Sequence, residues 1–111
     1  MEAKRTDSQR LKHRGAVGYA FEQLNNAIRS MATSTDSLSE RLLYAWGNSI
    51  QHVRPKDMDN GELRGNIEAT QKHCRKLLDL DEDGLMQLTD EIVSAYTLTV
   101  RELERLDSSP R

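Results

Sequence analysis

Apolar residues recur at steps of three, four and one in four successive segments of this chain, and that pattern leaves few folds open. The first segment, residues 7–31, carries Val17, Ala20, Phe21, Leu24, Ala27, Ile28 and Met31. On a helix of about 3.6 residues per turn those positions share one side. A second stripe joins Leu38, Leu42, Ala45, Trp46, Ser49, Ile50 and Val53, and a third joins Leu63, Ile67, Thr70, Cys74, Leu77 and Leu78. The last and clearest comprises Leu85, Leu88, Ile92, Ala95, Tyr96, Thr99, Leu103 and Leu106. No stretch alternates at period two for long enough to build a sheet. The chain is therefore expected to be all-α.

The breaks between stripes carry helix start and stop signals. Thr6 with Gln9, Ser37 with Glu40, and Asp59 with Glu62 all have capping-box spacing, so helices are expected to begin at each. Pro55 forces the second helix to stop, because the residue before a proline is pushed out of helical geometry. Residues 54–60 then read as a charged turn, and the acidic break at 79–84 places carboxylates at the start of the fourth helix, where they meet unpaired N–H groups. Gly15 and Gly18 weaken the first helix by up to about 1 kcal/mol each relative to Ala, so a weak first turn before Ala16 and a continuous helix are equal alternatives, and the glycines can instead serve a close backbone crossing.

Four one-sided helices with short connections bury their stripes against one another as a small four-helix bundle, antiparallel in up-down-up-down order. Residues 1–111 read as one domain, with a basic N-terminal stretch (1–14) and a short C-terminal stretch (107–111) that fray. A three-helix core with the first segment docked elsewhere, or swapped between subunits, is the competing arrangement. Only one Phe and one Trp are present, so aliphatic side chains supply most of the apolar area and a homodimer sharing that area is a further expectation.

Several classes of chemistry lack their residues. The histidines are His13, His52 and His73, and the single Cys74 directly follows His73, where helical neighbours diverge by about 100 degrees. Paired Cys-x-x-Cys, His-Glu-x-x-His and Glu-x-x-His motifs are all missing, so no metal site is expected. Gly61-Glu62-Leu63-Arg64-Gly65 lacks the spacing of a phosphate loop. Glu68 and Glu91 are expected to face water, and Cys74 to be buried as a small hydrophobe. The reading is thus no enzyme and no cofactor. A lone Cys, no apolar run near the roughly 18 residues of a membrane span, and no signal-peptide core after the basic start together point to the cytoplasm and away from membranes.

Binding remains. Tyr19, Leu43, Tyr44, Val93, Leu98 and Val100 flank their stripes, and with Trp46 they form a candidate protein interface for a protein partner or a second copy of the chain. On that reading the chain is a regulatory protein, adaptor or small subunit that binds through an exposed helix face. The alternative is a nucleic-acid-binding regulator. Its phosphate contacts would be Lys4, Arg5, Arg10, Lys12 and Arg14 at the start, with Arg64, Lys72, Arg75 and Lys76 on the third helix. The net charge of -2 and the acidic tail weigh against it.

Overall fold

The computed structural model describes residues 7–108, and all of its regular structure is helical: among the described residues there is no strand. Helix α1 spans Asp7–Thr33, α2 Leu38–Asn48, α3 Gly61–Arg75 and α4 Glu82–Ser108. Three short 3-10 turns, Ile50–His52, Pro55–Asp57 and Leu77–Asp79, fill the connections. At 27 residues each, α1 and α4 are about 40 Å long. They pack along one another more extensively than any other pair and set the long dimension of a molecule measuring 54 × 24 × 19 Å. Helix α2 packs mainly on α1, and α3 mainly on α4.

The stripes form the core. Val17, Ala20, Leu24, Ala27 and Met31 of α1 meet Leu42 and Ala45 of α2, Leu63, Ile67 and Cys74 of α3, and Leu85, Leu88, Ile92 and Ala95 of α4 in one cluster. Phe21 and Tyr96 stack at its edge with ring centroids 5.5 Å apart. Burial of this apolar area is the main stabilising term, at about 25 cal/mol per Å² removed from water. Among the described residues no helix is long and apolar enough to cross a membrane.

Ser37 starts α2 as expected: its hydroxyl accepts from the Glu40 N–H, and the Glu40 carboxylate accepts from the Ser37 N–H. Thr6, the cap expected to pair with Gln9, lies outside the described residues.

One pair of alternatives is decided and three expectations need correction. Helix α1 is continuous through Gly15 and Gly18, with no loose first turn among the described residues. Neither glycine serves a close crossing: a methyl at Gly15 would have nothing within 4 Å, and at Gly18 it would meet only the Arg14 side chain at 3.7 Å. Helix α3 is capped by Asn60, whose side-chain oxygen accepts from the Leu63 N–H at 3.1 Å, rather than by Asp59. The Asp59 N–H is instead turned toward His13. Leu78 is 76% exposed, because α3 ends at Arg75 and the tighter turn at Leu77–Asp79 rotates the stripe out of phase. Finally, α2 stops at Asn48, before Pro55 could act; Ile50 and Val53 reach the core from a 3-10 turn and the extended residue after it.

The segment between α2 and α3 is more than a charged turn. Pro55 and Met58 are both buried, Met58 almost completely. Gln71, on the inner side of α3, donates to the carbonyls of Ile50 at 3.1 Å and Val53 at 2.9 Å, holding that segment against the helix. These bonds satisfy backbone groups that burial would otherwise leave costly.

Candidate functional site

The residues singled out for a protein interface divide into two sets. Tyr19, Leu43, Tyr44 and Val93 are exposed, with Tyr44 the most open at 61%. Trp46 and Leu98 are half-buried and lean on the core, and Val100 is also half-buried. Leu43 and Tyr44 are neighbours on the outer side of α2, Tyr19 belongs to α1 and Val93 to α4. Leu11 and Met86, which belong to no stripe, are exposed as well, and so is Leu78, which the spacing had placed on the third stripe.

Around Val93 exposure coincides with shape. Ile28, Met31 and Ala32 at the end of α1, Leu38 and Arg41 at the start of α2, and Thr89, Ile92 and Val93 on α4 line a groove of about 220 Å³. Arg41 is its only charged side chain, and Thr89 its only other polar one. The Thr89 hydroxyl is already donated to the Leu85 carbonyl at 2.9 Å. Arg41 donates to the carbonyl of Met31 at 3.1 Å and of Asp36 at 3.0 Å, so its guanidinium bridges the α1–α2 turn and fixes one rim. The floor is therefore apolar and the rim carries one positive charge.

The basic residues do not form one surface. Lys4 and Arg5 lie outside the described residues. Lys12 pairs with Asp57 at 3.6 Å and Arg14 with Asp107 at 3.0 Å, so both charges are partly neutralised within the chain. Burial pushes the Asp57 carboxyl up, but Arg54 and Lys12 outweigh it and hold the group below its ordinary range. Arg64 donates to the Met58 carbonyl at 3.2 Å. Arg75 lies over the Trp46 ring at 5.6 Å, while Arg10, Lys72 and Lys76 are exposed.

The most constructed polar feature escaped the sequence reading. His13 and Glu102 are both buried, at 1% and 4% exposure, and His13 Nε2 lies 2.7 Å from Glu102 Oε2. The Asp59 N–H donates to His13 Nδ1 at 3.0 Å. Because that amide can only donate, Nδ1 carries the lone pair and the ring proton sits on Nε2, where it is donated to Glu102. Glu102 Oε1 accepts from Asn60 Nδ2 at 3.1 Å and Arg105 Nε at 2.8 Å; Oε2 also accepts from the Arg105 guanidinium at 2.7 Å. All four acceptor positions of the carboxylate are used. Arg105, with His13 and Asn60 adding to it against the cost of burial, holds the carboxyl at about 2. Such full satisfaction leaves no free proton acceptor, so the cluster reads as structural.

One signal did exist. His13 continues the α1 stripe four residues before Val17, and Glu102 continues the α4 stripe three after Thr99. A polar residue in step with an apolar row, at the helix end where two such rows meet, marks a buried pair.

A second histidine–carboxylate contact lies at the surface. His73 Nδ1 donates to Glu91 at 2.8 Å, in a cleft of about 280 Å³ that Lys76, Leu80 and Leu88 also line. Glu91 thus has a partner rather than facing water alone. The neighbouring Cys74 is buried, and desolvation, with Glu91 adding to it, pushes its thiol up to about 12. A thiol held that high supplies almost no thiolate at neutral pH and is inert as a nucleophile. Among the described residues no three His, Cys, Asp or Glu side chains come together as a metal would require.

Comparison with protein-family models, with curated proteins and with solved structures finds no match for this chain.

Proposed function

We propose that this chain is a non-enzymatic protein-interaction module, an up-down-up-down bundle whose α1–α2–α4 groove receives an amphipathic helical segment of a protein partner. Residue pairs along α1 and α4 support the opposed helix directions: Arg14 contacts Asp107, His13 contacts Glu102, and Phe21 contacts Tyr96. The observation that carries the functional reading is the groove itself, apolar along its floor with Val93 open to water at 46% exposure. Burying such a floor under an apolar ridge gains hydrophobic free energy that water contact forfeits. The positive rim at Arg41 selects a partner helix with a carboxylate beside its apolar ridge, since complementary charge fixes register more than it adds affinity.

The test is isolation of the full chain with its partner from the native cell, reconstitution from purified components, and comparison with Val93→Glu. A charge in the groove should weaken the reconstituted complex at least about tenfold while the helical circular dichroism stays unchanged. Lys76→Glu, outside the groove, should leave it intact. A chain that dimerises with the same sensitivity at Val93 identifies a second copy as the occupant. Failure of Val93→Glu to alter any reconstituted contact removes the groove from consideration.

A further inference from the structure

A different face of the molecule carries a second site. Val53, Arg54, Pro55 and Lys56 on one wall, and Glu68, Gln71 and Arg75 of α3 on the other, enclose a cleft of about 340 Å³. Its walls are fixed rather than loose: Pro55 and Val53 are buried, and Gln71 ties the first wall to α3 through the Ile50 and Val53 carbonyls. Three cationic side chains and one carboxylate line it, with Arg54 and Lys56 on the first wall and Glu68 and Arg75 on the second. Arg54 is engaged with Asp57 at 3.2 Å. Lys56 and Arg75 make no hydrogen bond or ion pair with any described residue.

Arg75 is the informative group. Its guanidinium carbon stands 5.6 Å from the centroid of the Trp46 ring, within cation–π range. An arginine held beside an aromatic ring, with no carboxylate or carbonyl on its donors, can offer its fork to two oxygens of an oxyanion.

We propose that this cleft binds the phosphate group of a small phosphate monoester, with the Arg75 fork on two phosphate oxygens and Lys56 supplying the second positive charge. The proposal stands apart from the groove reading, since the two share no residue. Glu68 opposes the ligand and sets its affinity, and the volume leaves room for a modest group beyond the phosphate.

Trp46 is the sole tryptophan, so its emission reports the Arg75 contact directly. Titration of the full chain with phenyl phosphate and with inorganic phosphate should give a saturable change in emission, absent with sodium chloride at matched ionic strength. Tighter binding of phenyl phosphate assigns the site to esters, and equal binding assigns it to the free ion; each supports phosphate recognition. Lys56→Gln should weaken binding several-fold and Glu68→Gln should tighten it, a gain that no loss of folding can imitate. Arg75→Gln removes the reporter contact, so calorimetry follows it, with an expected loss of about tenfold or more. The proposal is overturned by a response that chloride reproduces, by affinities unchanged in the Lys56 and Glu68 variants, or by duplex DNA binding that inorganic phosphate does not displace.

Discussion

Helices α1 and α4 are joined by two kinds of chemistry along one interface. From Val17 to Met31, α1 meets α4 through close-packed apolar side chains that are almost wholly excluded from water. One turn before Val17 the contact becomes polar, with His13, Glu102, Arg105 and Asn60 bonded to one another and to the Asp59 amide. The apolar stretch supplies driving force without direction, since many helix registers bury comparable area. The polar end supplies direction, because four donors find one carboxylate only when α1, α3 and α4 stand in a single arrangement. Energy and uniqueness are thus divided between two ends of the same helix pair.

The sharpest challenge to that division comes from the apolar part. Leu24 is 1% exposed and central to the core, so Leu24→Ala should cost about 4 kcal/mol, the sum of lost transfer free energy and an unfilled cavity. Chemical denaturation read by helical circular dichroism measures it directly. The variant should keep its native register, seen as an unchanged environment for the His13 ring in NMR spectra. A register change on loss of a methyl cluster, with the polar end intact, would show that packing rather than hydrogen bonding chooses the arrangement.

Acidification probes the polar end. The Glu102 carboxyl is held at about 2, well below the roughly 4.3 of an unfolded-chain glutamate. A depressed folded value means that the stabilisation is fully present above about pH 4.5 and is lost as pH falls toward 2. At 1.36 kcal/mol per unit, the amount is on the order of 3 kcal/mol. Denaturation midpoints of wild type and Glu102→Gln, followed from pH 5 to pH 2, should therefore converge, because the amide variant lacks the titrating group. Parallel curves across that window would mean that the network contributes no charge-dependent stability.

The comparison also explains which parts of the molecule could be read from its residues. Three positions, Val17, Ile67 and Ile92, share one property: each sits in an apolar row of helical period, and each is buried. Periodicity reports such positions because burial of a stripe is a local property of one helix. Glu102 stands among the charges of an acidic tail and His13 between Lys12 and Arg14, and their burial depends on two helices that meet only after folding. Asn60 displaced Asp59 as the α3 cap for the same reason, since the Asp59 amide is committed to a histidine 46 positions away. The Val93 groove was half legible: the residue was marked as flanking its stripe, but its neighbours come from three helices. Nothing in spacing alone gathers Lys56 and Arg75 around one cleft, because the 3-10 turns that place Lys56 carry no period.

The smallest effect concerns the boundary between the two ends. Gly15 lies between His13 and Val17, in the turn where polar contact gives way to apolar packing, and its backbone is helical. A methyl there would have no neighbour within 4 Å, so Gly15→Ala adds no clash and lowers the entropy of the unfolded chain. The helix should gain about 0.5–1 kcal/mol, read as a higher denaturation midpoint. Hydrogen exchange then locates the gain. If residues 8–14 are held mainly through His13, their amides should slow in Gly15→Ala more than those of residues 20–31, whose apolar side is packed in the core. Uniform slowing along α1 would mean that the helix opens as one unit, and that the polar and apolar ends are not separable in stability.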